Sequence, residues 1–117
     1  MAKADIMFDK TEIVLRIAEK RPVSYNIRAE QITTVTFRPT TVKKLFKSEK
    51  SEVMLIKFSG GPQDGAAVTK TALETMKKGS WDIAKKQMED FCKYNKLTLH
   101  YEDTEWKPIS LAKSKAG

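Results

Sequence analysis

The chain has 117 residues, of which 40% are apolar and 32% charged, so it fits one folded domain and is not a disordered chain. Its short apolar runs argue against a transmembrane span, and its first residues lack the apolar segment of a secretory signal. A net charge of +7 permits a polyanionic partner. The single cysteine, Cys92, excludes an intramolecular disulfide and favours a reducing compartment, for which the cytoplasm is the default expectation.

The first part of the chain alternates apolar and polar residues with the period of two that is typical of half-buried strands. Ile6 and Phe8 begin the pattern, and a turn at 9–10 leads into a second strand over 11–18. A turn at 19–20 precedes a third strand after Pro22, and a break at 29–31 separates it from a fourth over 32–37. Consecutive short strands joined by turns predict an antiparallel meander.

Residues 38–51 are predicted to form a long hairpin whose arms continue the flanking strands. Five basic residues stand there against Glu49, which accounts for +4 of the total charge of +7. The strand that follows, 52–58, is apolar on both faces. This pattern fits a central strand covered on both sides, or one covered by a helix on one face and by a partner on the other. The second alternative motivates a hypothesis of self-association.

The glycine-rich segment 59–65 is predicted to be a loop, followed by a brief strand over 66–70. Thr71 and Glu74 have the spacing of a capping box, in which each side chain accepts a hydrogen bond from an unpaired backbone N–H group. A short helix would therefore begin at Thr71 and end near Lys78, with Gly79 at the position after its C-cap.

The main helix is predicted over 80–96, with Ser80 as its N-cap and Asp82 near the positive end of the helix dipole. Its apolar residues lie on one face at helical spacing, as in a helix that covers a sheet. They are Trp81, Ala84, Met88, Phe91 and Cys92. A last strand over 97–102 is expected to rejoin the sheet. Residues 103–117 are predicted to be a polar tail that docks at most through Trp106.

The basic hairpin, residues 38–50, is the one feature that suggests a binding function. Its lysines could contact phosphates, and its phenylalanine could stack on a base or press against a lipid surface. The alternative is a solvated ribbon whose lysines prevent edge-to-edge pairing. The candidate polyanion-binding residues are Arg38, Lys43, Lys44, Phe46, Lys47 and Lys50.

No constellation in the sequence supports catalysis. His100 is the lone histidine, and catalysis or zinc binding would require partners that the sequence does not place near it. Cys92 lies on an apolar helix face, where packing is expected rather than reactivity. The loop 60–65 has the spacing of a P-loop, but Ala66 and Ala67 stand where lysine and a hydroxyl residue are required. The sequence therefore predicts that the chain is not an enzyme and uses no cofactor or metal.

The segment 23–37, VSYNIRAEQITTVTF, resembles the strand–turn–strand of bacterial pleckstrin-homology-like domains. The basic hairpin, the strand 52–58 and the helix 81–96 continue the resemblance over about two-thirds of the chain. The resemblance implies a bent antiparallel sheet or small barrel, capped by a helix and acting in protein or lipid recognition without chemistry. Inositide binding is not implied, because Lys20, Arg21 and Arg28 only roughly match the basic motif of the eukaryotic relatives.

These observations predict one α+β domain over 1–102, followed by the tail. Its architecture is a bent, mostly antiparallel sheet or small open barrel of about five to seven strands, capped by one main amphipathic helix. The expected function is that of a non-catalytic interaction module that binds a protein partner or another copy of itself. The alternative is a binder of nucleic acid or anionic membrane that uses the basic hairpin.

Overall fold

The computed structural model of the chain describes residues 3–18, 21–43, 45–61 and 64–108. Within these residues, seven strands form two sheets and two α-helices pack against them, which confirms the predicted α+β class. The smaller sheet has the order β1-β2-β3 and the larger sheet has the order β6-β5-β4-β7. The strands are β1 (Lys3–Phe8), β2 (Glu12–Ala18), β3 (Val23–Arg28), β4 (Ile32–Lys43), β5 (Ser48–Phe58), β6 (Gly65–Thr69) and β7 (Leu99–Tyr101).

The predicted meander is confirmed over its first three strands, which form the antiparallel sheet β1-β2-β3. Its predicted fourth strand, 32–37, lies in the larger sheet and is not paired with β3, so that part of the prediction is wrong. The inward positions of the smaller sheet alternate as expected, with Ile13, Leu15 and Ile27 fully buried. The turn predicted at 19–20 lies outside the described residues. A 3-10 turn over Ala29–Gln31 stands at the predicted break and carries the chain from the smaller sheet into the larger one.

Strands β4 and β5 form the long hairpin that the sequence predicts, paired from Ile32↔Phe58 to Lys43↔Ser48. Strand β5 lies between β4 and β6, so its predicted central position is confirmed. Apolar residues of β5 are buried on both faces of the sheet, with Val53 on one face and Met54 and Ile56 on the other, whereas Leu55 is half-buried.

Strand β7 pairs with β4 in the parallel direction, whereas the other strand pairs described are antiparallel. The intervening α-helices return the chain to the starting end of β4, and such a crossover is what a parallel pair requires. Tyr101 on β7 stacks on Phe37 of β4 at 5.3 Å between ring centroids. The sequence predicted this strand but not the direction in which it pairs with β4.

The main helix, α2, spans Ser80–Tyr94 and covers the core with the predicted face. The five apolar residues of that face are each at most 4% exposed. The predicted N-cap is wrong, because Gly79 holds that position and Ser80 is the first residue of the helix. Gly79 has φ +85°, a left-handed conformation that glycine adopts at little cost, and this sharp turn joins α2 to the preceding helix. The hydroxyl of Ser80 donates to the carbonyl oxygen of Leu73.

The short helix α1 spans Lys70–Met76, and its N-cap is Thr69, whose hydroxyl accepts from the Ala72 N–H at 3.1 Å. The predicted capping box of Thr71 and Glu74 is therefore wrong. The Glu74 carboxylate instead accepts hydrogen bonds from the backbone N–H groups of Gly79 and Trp81, at 2.9 and 2.8 Å. It thereby satisfies donors at the start of the next helix. None of the described helices is long and apolar enough to cross a membrane.

The packing of α2 can be tested with two methionines. We expect Met88→Ala, at a site with 0% exposure, to lower the free energy of unfolding by about 2–5 kcal/mol. The matched control is Met76→Ala, also in a helix but 55% exposed, which should cost less than about 1 kcal/mol. Urea unfolding followed by circular dichroism measures both, and equal losses would contradict the burial assigned to α2.

The helix junction predicts a pH dependence. Hydrogen bonds from the backbone of Trp81 and then of Gly79 hold the pKa of the Glu74 carboxyl below its ordinary value of 4.5. The ionised Glu74 carboxylate therefore stabilises the folded chain fully above the pKa of the unfolded state. This stabilisation is lost as the pH falls through the lower pKa of the folded state. We expect Glu74→Gln to destabilise the protein at neutral pH, with the difference from the wild type shrinking below pH 4.5.

Unfolding titrations across this pH range make the comparison. Glu102→Gln is the matched control, because it removes the same charge from an exposed position. A Glu74→Gln penalty that stays constant down to strongly acidic pH would contradict this role of the carboxylate.

Candidate binding surface at the hairpin tip

The end of the β4–β5 hairpin projects beyond the rest of the larger sheet. Strand β6 pairs with β5 at residues 53–57, and β7 pairs with β4 at residues 35–37. Going toward the end of the hairpin, the bridge between Thr40 and Trp106 is the last backbone pairing of β4 or β5 with another segment of the described residues. The three rows beyond it, Thr41↔Lys50, Val42↔Glu49 and Lys43↔Ser48, are therefore a two-stranded ribbon.

We define the hairpin tip as residues 43–50, and its end is formed by two exposed apolar side chains. Leu45 is 87% exposed and Phe46 is 94% exposed. The next most exposed large apolar side chain of the described residues is Tyr94, at 63%. Single exposed apolar residues are ordinary on protein surfaces. Two adjacent ones, almost wholly in water at the end of a projecting ribbon, contribute little to packing and are therefore candidates for a contact surface.

Basic side chains surround this apolar pair. Lys43, Lys47 and Lys50 are exposed, and none of them forms an ion pair with a described residue. Lys44, the fourth lysine of the predicted set, lies outside the described residues. By sequence the eight residues of the tip carry four lysines and Glu49, a net charge of 4 − 1 = +3.

Two lysines on α2, in contrast, already have partners. Lys85 forms an ion pair with Glu52 at 3.3 Å, and its ammonium nitrogen lies 5.5 Å from the ring centroid of Phe37. Lys86 pairs with Asp90 at 3.2 Å, one helical turn away. The charges of Lys43, Lys47 and Lys50 are therefore more available to an external anion than those of these two helix lysines.

Arg38, which the sequence analysis places in the polyanion-binding set, lies at the base of the ribbon. Its guanidinium Nε donates to the carbonyl oxygen of Thr104 at 2.8 Å, and its Nη2 donates to that of Glu105 at 2.9 Å. The side chain is half-buried in this arrangement. Arg38 thus holds the C-terminal segment and is separate from the lysines of the tip.

The C-terminal segment docks along β4, as the sequence analysis allowed for Trp106. The Trp106 N–H donates to the carbonyl oxygen of Pro39 at 2.8 Å, and its own carbonyl oxygen accepts from the Thr40 hydroxyl at 2.7 Å. The Thr41 hydroxyl donates to the Glu105 carboxylate at 2.6 Å. Contacts between segments more than 60 residues apart leave no local pattern, so the sequence did not reveal them.

The lone histidine and the lone cysteine lie apart from the hairpin tip. His100 is exposed on β7. Cys92 lies on the buried face of α2, and this burial raises the pKa of its thiol to about 11, so the reactive thiolate is scarce at neutral pH. Within the described residues, no group of three or more histidine, cysteine or acidic side chains could hold a metal ion.

The face of the larger sheet opposite α2 bears on self-association. On this face Val53 is 0% exposed, Thr40 is 4% exposed and Ser51 is 9% exposed in the single chain. The hypothesis that a second copy is needed to cover β5 therefore loses its motivation at these positions. Self-association stays a prediction, since Leu55 on this face is only half-buried.

Comparison of the chain with protein-family models, with curated proteins and with solved structures finds no match. The resemblance to bacterial pleckstrin-homology-like domains therefore stays a prediction. The function has to be argued from the geometry and charge of the hairpin tip.

The attachment of the C-terminal segment predicts the effect of removing the Arg38 guanidinium. Arg38→Ala leaves the carbonyl oxygens of Thr104 and Glu105 without their donors, so we expect the segment to open more often. Amide exchange of a peptide containing Trp106 should accelerate roughly tenfold, as expected for about 1–3 kcal/mol of lost local stability.

The matched control is Arg28→Ala, which removes an exposed arginine whose ion pair is with Glu30. Exchange at Trp106 should not change in this variant. An unchanged rate at Trp106 in Arg38→Ala would contradict the role assigned to Arg38.

Proposed function

We propose that this chain is a non-catalytic binding module that docks on a negatively charged surface through its hairpin tip. The observation that carries the proposal is the nearly complete exposure of Leu45 and Phe46 at the end of a ribbon lined with lysines. The alternative of the sequence analysis, a polyanion binder, thereby moves ahead of a protein partner or a second copy.

The charge density of the tip supports an anionic partner. The tip carries a net charge of +3 within eight residues, against +7 for the whole chain. Lys43 ends β4, Lys47 lies in the connection and Lys50 is near the start of β5, so an extended anionic surface can meet all three together. Each lysine near such a surface contributes about 1 kcal/mol.

The same charge disfavours the two other partners. Two copies that met tip to tip would bring like charges together, which is destabilising. The centre of a protein–protein interface is usually depleted in lysine, yet here the lysines lie directly beside the apolar pair. A surface that attracts lysines and also accepts two apolar side chains fits the composition better.

The test compares two variants of equal net charge. Lys43→Gln/Lys47→Gln/Lys50→Gln removes three charges from the tip, whereas Lys10→Gln/Lys77→Gln/Lys93→Gln removes three exposed charges elsewhere. Binding to heparin, a generic polyanion, is measured at several salt concentrations. We expect the tip variant to bind roughly a hundredfold more weakly, from about 1 kcal/mol per lysine, and the control variant to change much less.

The salt dependence provides a second readout. Affinity of the wild type should fall steeply as salt rises, because binding releases counterions from the polyanion, and the slope should be shallower for the tip variant. Equal losses in the two variants would show that the overall charge matters rather than the tip, and would contradict the proposal.

A further inference from the structure

We infer that the anionic surface is the interface of a lipid bilayer, with Leu45 and Phe46 inserting at the boundary between headgroups and acyl chains and the lysines contacting the headgroups. This inference rests on the proposed function and specifies its ligand. Such insertion requires an apolar end, basic residues next to that end and a segment that projects from the domain, and the hairpin tip has all three.

The apolar pair is placed so that it can enter a bilayer without unfolding the domain. The ribbon extends beyond the last pairings on its outer edges, and Leu45 and Phe46 lie at its far end. Peripheral segments bury apolar side chains about 5–10 Å into the boundary region, a depth that the end of a β-hairpin can reach. The aromatic ring of Phe46 and the branched side chain of Leu45 gain free energy by leaving water for that region.

The lysines stand where they would meet the headgroups of such a bilayer. Lys43 is paired with Ser48 in the last row of the ribbon, and Lys47 follows the apolar pair directly in sequence. A lysine side chain can lay its apolar stem along the boundary while its ammonium group stays among the phosphates. The tip therefore combines the two attractions, apolar and electrostatic, on which peripheral membrane binding depends.

Nucleic acid fits the same tip less well. Binders of single strands stack successive bases on aromatic side chains within a basic groove, whereas this convex tip has one aromatic ring beside a leucine. A two-stranded ribbon can enter the major groove of a duplex, but the apolar pair at its end would then gain no apolar environment.

The experiment measures partitioning of the full chain onto vesicles of phosphatidylcholine alone and of phosphatidylcholine with about 30 mol% phosphatidylserine, an anionic lipid. A short DNA duplex is the parallel probe. Leu45→Ala/Phe46→Ala removes the apolar pair and keeps every lysine. Ile83→Ala/Tyr94→Ala is the matched control, because it removes two exposed apolar side chains from α2.

We expect the wild type to bind the anionic vesicles and to bind the neutral ones much more weakly. The Leu45→Ala/Phe46→Ala variant should lose about tenfold or more in partitioning, since each of the two side chains no longer leaves water. The control variant should bind like the wild type. In a Phe46→Trp variant, emission above the wild-type background should shift to the blue with anionic vesicles, and acyl-chain bromination should quench it.

Three results would overturn the inference. If anionic vesicles bind the wild type and the Leu45→Ala/Phe46→Ala variant equally, contact is purely electrostatic and nothing inserts, although the proposed function stands. If the duplex binds through the tip and the vesicles do not, the ligand is a nucleic acid and the proposed function again stands. If vesicles and duplex both fail and heparin binding does not depend on the tip lysines, the inference and the proposed function fall together.

Discussion

The pairing of β4 with β5 is the constraint on which the rest of the structure depends. It aligns eleven residue pairs in one hairpin, far more than any of the other strand pairs described. Its inner rows place Val35, Phe37 and Met54 under α2, where Phe37 meets Trp81 edge to face at 5.9 Å. Its outer rows leave the sheet and carry the tip. A single ladder of hydrogen bonds therefore builds the core and positions the candidate binding surface.

Two polar attachments hold other segments to this hairpin. The Trp81 indole N–H donates to the Glu52 carboxylate, which also pairs with Lys85, so the start of α2 is tied to β5 by more than apolar contact. Arg38 ties the C-terminal segment to β4 through two carbonyl oxygens. Both attachments act near the base of the ribbon. Because the Thr41 hydroxyl also donates to the Glu105 carboxylate, motion of the tip relative to the core would have to start beyond Thr41, in the rows of Val42 and Lys43.

Sequence patterns predicted those features that depend on local spacing. Alternation in the first strands placed Ile13 and Leu15 inside, and helical spacing identified the whole buried face of α2. The errors lie where a tertiary partner decides. Glu74 has the spacing of a capping box, but the following helix start offers it two better donors. The parallel direction of β7 likewise depends on where α2 ends, and no local pattern of residues records that.

The candidate site was likewise predicted only in part from the sequence. Its lysines and its phenylalanine were predicted from composition, but the separation of Arg38 from them required the contacts of the C-terminal segment. The exposure of Leu45 and Phe46 is the observation that favours the proposed binding surface over a solvated ribbon. Lysines alone would be explained as protection of an open ribbon against edge-to-edge pairing. That explanation does not extend to Leu45 and Phe46, because polar residues would serve a solvated turn better and expose less apolar surface to aggregation. An apolar pair displayed at the far end of a charged ribbon is most simply explained by a partner that buries it.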